Sequence, residues 1–310
     1  MQSEAFDRRA IPADARVERW TAADGWSYRT MERGPGAGAE PRGSLLFAGG
    51  RGDFIEKYLE IHDHWVRRGW RVTAFDWRGQ GASQGDRPAG WLDRFDTLVE
   101  DLDGLIGAWR ARTPGPHAVL GHSMGGHVLL RTLAERRPAV DAAVLIAPML
   151  AINSAPVPPF AAEWMARLFP AFGWSGQPAW QRPATPVGSL RQIHLTSCPE
   201  RYSDELWWWE KQPSFNLGPP TWGWLRAAYI SAAALTPAKL AAVRIPVLLI
   251  GTERDRLVSP AAIRGAASHL PDCELLMFED SAHEILRERD PVRLEALARI
   301  DSFLDRRAAR

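Results

Sequence analysis

The chain has 310 residues, a length that suits one large domain with an insertion, or two small ones. Apolar residues make up 45% and charged residues 24%, which supports a real core and is ordinary for a soluble protein. With 38 basic residues against 37 acidic ones the formal charge is +1, so bulk electrostatics give no case for nucleic acid. Cys198 and Cys273 form neither a spaced metal pattern nor a disulfide framework, usage that fits a reducing compartment. The segment Met1–Arg9 has no apolar h-region, and no apolar run approaches the length needed to span a bilayer. Cytoplasmic residence is the expectation, with room for peripheral membrane contact.

Val17 to Thr30, interrupted by Asp24-Gly25, predicts a hairpin. Ser44 to Ala48 reads as a short buried strand ending in Gly49-Gly50. Phe54 to Arg68 has helical periodicity, with Tyr58, Ile61, Trp65 and Val66 on one stripe and Gly69 as the stop. Arg71 to Phe75 is another strand, and Asp76 to Ser83 a polar, glycine-rich loop. Asp96 is placed to cap a helix running to Ala111. A strand from His117 to Leu120, a helix from Met124 to Arg136 and a strand from Ala142 to Ala147 follow. This repeated alternation predicts an α/β fold with a mostly parallel central sheet and helices on both faces.

The rhythm breaks after Pro148. Eight of the fifteen tryptophans and twelve of the twenty-four prolines fall between residues 150 and 240, where buried-strand signals are few. Short helices are expected there at Phe160–Leu168, Pro199–Glu210 and Trp222–Leu235. Strands resume at Ile245–Ile250 and Glu274–Phe278, and a helix from Pro291 to Arg306 closes the pattern. The middle segment therefore reads as an insertion over the sheet. The division is 1–148 for the first part of the core, 149–240 for an inserted, largely helical cap, and 241–310 for the second part of the core.

The chemistry centres on Gly121-His122-Ser123-Met124-Gly125, a G-x-S-x-G pentapeptide between a strand and a helix. In that setting it reads as a nucleophile elbow with Ser123 at its tip. Such a serine needs a base and an orienting acid, in the chain order serine, acid, histidine. His283 lies in a loop just past the last strand. Asp255 lies in the loop after the strand ending at Ile250. Both fall at the carboxyl edge of the sheet, where the elbow sits. Glu253 and Asp280 compete for the acid role, and Asp255 is favoured. The Met124 amide and, from the loop Gly49 to Asp53, the Arg51 amide are the expected oxyanion donors.

Trp207-Trp208-Trp209 cannot all face one core from a single helix. Trp207, Trp208, Phe215 and Trp222 are the candidate lining of a substrate pocket, against the alternative that they pack the insertion onto the core. Glu200, Glu205 and Glu210 are placed to read a substrate amine, but surface charge is the favoured reading of each. His122 reads as a packed, hydrogen-bonded neighbour that shapes the turn. No histidine set supports zinc, and the Asp76–Ser83 loop matches neither a P-loop nor a dinucleotide fingerprint.

Together these residues resemble the α/β-hydrolase superfamily, and within it the monoacylglycerol lipase and bacterial lysophospholipase L2-like branch. The likeness runs from about residue 17 to 305. It is carried by Gly121 to Gly126, by Asp76-Trp77-Arg78-Gly79-Gln80-Gly81-Ala82-Ser83, by Asp255 and His283, and by Leu195 through Tyr202. One departure is Gly49-Gly50-Arg51, where the family often carries a histidine-glycine pair. The resemblance implies carboxylester hydrolysis of a monoacyl lipid through Ser123, His283 and Asp255, without metal or organic cofactor. It implies a cap that accepts the acyl chain and touches membrane. Alternatives are an esterase or peptidase for small non-lipid substrates, and a non-catalytic binding protein. Sequence is silent on oligomeric state.

Overall fold

The computed structural model describes residues 6–36, 38–181 and 185–308. Residues 1–5 of the amino-terminal segment and 182–184 of the middle segment lie outside them. Eight strands form one sheet: β1 (Arg16–Thr21), β2 (Ser27–Arg33), β3 (Gly43–Ala48), β4 (Trp70–Phe75), β5 (His117–His122), β6 (Ala142–Ile146), β7 (Val247–Thr252) and β8 (Cys273–Phe278). Their order is β1-β2-β4-β3-β5-β6-β7-β8. The hairpin β1–β2 turns at Asp24-Gly25, and β2 pairs antiparallel with β4. Every other pairing is parallel. Strands β3, β6 and β7 are buried along their whole length, because helices cover both faces and their apolar runs need no polar alternation.

A 3₁₀ turn (Ile55–Tyr58) leads into α1 (Leu59–Arg67), which buries Leu59, Ile61, Trp65 and Val66. Gly69, at φ +85°, ends it by donating its N–H to the Val66 carbonyl. Helix α2 (Phe95–Arg112) begins two residues earlier than a cap at Asp96 would have it. Asp96 is not its cap: it lies in the first turn and accepts from Arg131 Nη2 at 2.6 Å. Helix α3 (Met124–Glu135) starts directly after β5 and is almost wholly buried.

Between β6 and β7 the chain is helical: α4 (Pro159–Leu168), α5 (Leu190–Leu195), α6 (Pro199–Lys211), α7 (Trp222–Ala233) and α8 (Pro237–Leu240). Helix α7 packs against α4 and α2, which ties the segment to the core. Helices α9 (Pro260–Ala267) and α10 (Asp290–Arg307) complete the fold. The three helices that periodicity did not reveal, α5, α8 and α9, are short. Each is started by a hydroxyl cap, Ser189, Thr236 and Ser259 respectively. Among the described residues, no helix is long and apolar enough to cross a membrane.

Candidate active site

Parallel pairing brings the carboxyl ends of β3, β5, β7 and β8 to one edge. Ser123 follows β5 directly and holds φ +52°, a conformation few non-glycine residues adopt. Surrounding bonds enforce it. Ser123 N–H donates to Ile146 O at 2.9 Å, and its carbonyl accepts from His127 and Met149 N–H, both at 3.0 Å. Close approach fixes the flanking glycines. A Cβ on Gly125 would stand 2.3 Å from the Ala48 and Gly49 carbonyl oxygens, and one on Gly121 only 2.7 Å from Gly126 Cα.

Ser123 Oγ lies 2.8 Å from His283 Nε2, and His283 Nδ1 lies 2.7 Å from Asp255 Oδ2. Asp255 Oδ1 accepts from the Leu257 and Val258 amides at 2.8 and 2.9 Å, so the carboxylate is oriented before it meets the imidazole. Burial opposes ionisation of Asp255, but the His283 charge and these hydrogen bonds outweigh it and hold its pKa below the usual range. Burial likewise opposes protonation of His283. The Asp255 carboxylate, with Glu284 and Asp53 behind it, overcomes that and raises the imidazole pKa. The competing acids are elsewhere: Glu253 pairs with Arg264 and Asp280 with Arg254, both exposed.

The loop after β3 is held by Asp53. Its carboxylate accepts from Gly50 N–H, from Lys57 Nζ at 2.7 Å and from Tyr58 OH at 3.1 Å, and lies 3.0 Å from His122 Nδ1. His122 thus props the loop against the elbow. With Gly50 N–H engaged and Gly52 N–H on Gln80 Oε1 at 2.7 Å, the Arg51 amide is left without an acceptor among the described residues, as is the Met124 amide. In the Asp76–Ser83 loop, Asp76 accepts from the Ile55 and Ala82 amides and from Arg29, while Arg78 pairs with Asp24 and Asp101. The loop is therefore scaffolding for its neighbours. Among the described residues, no group of three His, Cys, Asp or Glu side chains could hold a metal ion.

A cavity of about 460 Å³ opens above Ser123 and His283, walled by the loop Gly50–Asp53, by Leu257, Val258 and Glu284, and by residues of the 149–240 segment. Its indoles are Trp180, Trp209 and Trp224. The four aromatic residues proposed from sequence do not line it. Trp207 packs edge-on to Trp208 with Arg9 and Lys211 over it, and Trp208 is buried with its Nε1 donating to Arg8 O. Phe215 is buried against Phe54, and Trp222 meets Phe169 edge-on. Successive helical residues turn by about 100°, so of three adjacent indoles one alone meets the cavity. That one is Trp209, beneath the Arg191 guanidinium at 4.5 Å.

Glu205 is a second correction. It is fully buried, accepting from Arg191 at 2.7 Å and lying 3.2 Å from Arg287 and 3.5 Å from Lys57. With Asp53 and Glu284 this makes three carboxylates facing three cations, which is why a buried charge is tolerated there. An acidic residue on a helix gives no sign in sequence of whether cations from distant segments surround it.

The sequence profile of the family described as serine aminopeptidase, S33, matches residues 39–290. The chain is similar to a probable lysophospholipase L2 of Haemophilus influenzae, 27% identical over 263 residues that cover 84% of this chain and 83% of the relative. It is similar to lysophospholipase L2 of Escherichia coli, 31% identical over 283 residues that cover 84% and 80%. Its fold is similar to that of a soluble variant of monoglyceride lipase from Saccharomyces cerevisiae in complex with a substrate analog. That match has a TM-score of 0.74 and 18% identity, and covers 97% of this chain and 98% of the other. With an eight-stranded, mostly parallel sheet, an elbow serine and these relatives, the chain belongs to the serine aminopeptidase S33 family of α/β-hydrolases and is a serine hydrolase of the lysophospholipase L2 and monoacylglycerol lipase branch.

Proposed function

We propose that this enzyme hydrolyses the carboxylic ester of a monoacyl lipid, a lysophospholipid or a monoacylglycerol, through Ser123, His283 and Asp255. The observation that carries the reading is the continuous relay from Asp255 through His283 to Ser123 at the floor of a mainly apolar cavity. In the first half-reaction Ser123 Oγ attacks the ester carbonyl while His283 Nε2 takes its proton. Asp255 stays ionised and stabilises the imidazolium. The Arg51 and Met124 amides, lacking other acceptors, receive the oxyanion. His283 then protonates the departing alcohol. Water enters, gives a proton to His283, and releases the fatty acid from Ser123 by the same route. Met149, Ile152, Leu217, Leu225, Leu257 and Val258 offer an apolar channel to the acyl chain.

The family is named for an aminopeptidase, an activity that must neutralise a free substrate amine. The two carboxylates on the cavity wall away from the relay, Asp53 and Glu284, are both already bonded to Lys57. That favours an ester over an amino-terminal amine. The segment 149–240 serves as the cap in this reading, and it meets the membrane. Phe160 and Trp164 on α4 are 77% and 62% exposed, and Phe172, Trp174, Leu190 and Ile193 are exposed too. Trp180 and Leu190 also line the cavity, so apolar surface runs to its mouth.

The test is a panel of lysophospholipids, monoacylglycerols, short-chain esters and aminoacyl amides, with Ser123→Ala as control. Long-chain monoacyl esters should be the best substrates, and the variant should lose turnover. Equal turnover of short and long esters, or preferential release of amino acids, would replace the lipid reading. Failure of a fluorophosphonate to label Ser123 would end the catalytic one.

A further inference from the structure

Among the described residues around the cavity, most cations come in compensated sets. Lys57 is bonded to Asp53 and Glu284, Arg191 to Glu205, and Arg287 to Glu284 and Glu205. Arg51 also lines the cavity, yet among the described residues no carboxylate pairs with it. Its Nη1 donates to Gly218 O at 2.9 Å and its Nη2 to Pro219 O at 3.1 Å, and the guanidinium lies 5.3 Å from the Trp224 ring centroid. Its Nε–H is buried without an acceptor. Burial pushes the Arg51 pKa down to about 10, so the group remains cationic at neutral pH.

Carbonyl dipoles and an indole face soften this charge without cancelling it. A desolvated cation lacking a counter-ion is unfavourable, and an anion that arrives with its own charge removes that penalty. The Arg51 backbone also lies beside the elbow. It adjoins Gly50, where a Cβ would lie 3.0 Å from Ser123 Cβ, so the side chain springs from the wall beside the reacting ester. Two of the five guanidinium N–H groups are engaged, which leaves donors for an oxyanion in the paired geometry that arginine favours.

We propose that the Arg51 side chain reads an anionic group on the substrate, a phosphate or a carboxylate close to the scissile ester, and so sets this enzyme's preference among monoacyl esters. This deepens the monoacyl-lipid reading and rests on it for the identity of the ester. The role is one of specificity and is separate from the amide of the same residue, which substitution by Gln or Lys keeps.

The experiment compares kcat/KM for three esters with the same acyl chain: a 1-acyl glycerol 3-phosphate, a 1-monoacylglycerol and a monoacylglycerol hemisuccinate. All are presented in neutral detergent, to wild type, Arg51→Gln and Arg51→Lys. Wild type should prefer an anionic ester, and Arg51→Gln should lower the anionic-to-neutral ratio by about tenfold or more, chiefly through KM. Arg51→Lys should keep part of it. Whether the phosphate or the succinate ester shows the larger drop identifies the anion. In parallel, glycerol 3-phosphate and succinate are titrated calorimetrically into Ser123→Ala, with and without Arg51→Gln. Arg51-dependent binding supports the proposal even if no lipid is turned over, an outcome that would remove the lipid reading alone. An unchanged ratio overturns the proposal. So does an equal loss on all three esters, which would make Arg51 a clamp for residues 218–219.

Discussion

Asp255 is bonded on both sides. Its Oδ1 is held by two amides and its Oδ2 by His283, so its one free choice of partner has been made before substrate arrives. The consequence for pH follows from the sign of the His283 shift. In the proposed mechanism His283 must be neutral to accept the Ser123 proton, and its imidazole pKa is raised above its ordinary 6.5. Activity should therefore fall as pH drops through a midpoint above 6.5, visible in kcat/KM against pH. Asp255→Asn removes the charge that raises that pKa and the acceptor that orients the ring. It should cut kcat by about 10³- to 10⁴-fold in a folded protein and move the acidic limb downward. Retained activity would return the acid role to Glu253 or Asp280. At this scale the sequence spoke clearly about Ser123, Asp255 and His283, because their chain order and their places after strands are written in local pattern. It was silent on Asp53, whose work with Gly50, Lys57, Tyr58 and His122 depends on a loop folding back upon itself.

The elbow shows how an element constrains its own sequence. Because a Cβ on Gly125 would meet backbone oxygens of the β3 end, no side-chain adjustment can relieve it. Gly125→Ala should cost about 1–3 kcal/mol in denaturant unfolding and displace Ser123 from His283, lowering kcat. Helix α6 teaches the complementary lesson. Its tryptophans announced an aromatic surface, yet Trp209 alone faces the cavity, and Glu205 was hidden among cations from α5, the first turn before α1 and the loop after β8. Removing that carboxylate by Glu205→Gln leaves buried cations short of a partner and should cost about 3–5 kcal/mol. Burial raises the Glu205 pKa, but Arg191, Lys57 and Arg287 outweigh it and hold it at about 2 against an ordinary 4.5. Its contribution is thus complete above 4.5 and is lost as pH falls toward 2. The stability gap between wild type and variant, followed by denaturant titration at several pH values, should narrow over that window.

For the whole molecule, the segment between β6 and β7 both roofs the cavity and turns apolar side chains outward. If it draws substrate from a bilayer, Phe160→Glu with Trp164→Glu should reduce co-sedimentation with phosphatidylcholine–phosphatidylglycerol vesicles by about tenfold, while hydrolysis of a water-soluble ester persists. Unaltered vesicle binding would assign those residues another role. Sequence by itself determined the alternation of strands and helices, the interruption after Pro148, and the chain order of Ser123, Asp255 and His283 in loops after strands, because each is a matter of periodicity, spacing and order along the chain. Only the tertiary structure decided which indoles line the cavity, that Glu205 is enclosed by cations, and that Arg51 meets no counter-charge among the described residues. A residue's own pattern fixes the face of the element it occupies. Which other faces meet it, and with what charge, is settled by packing between segments far apart in the chain.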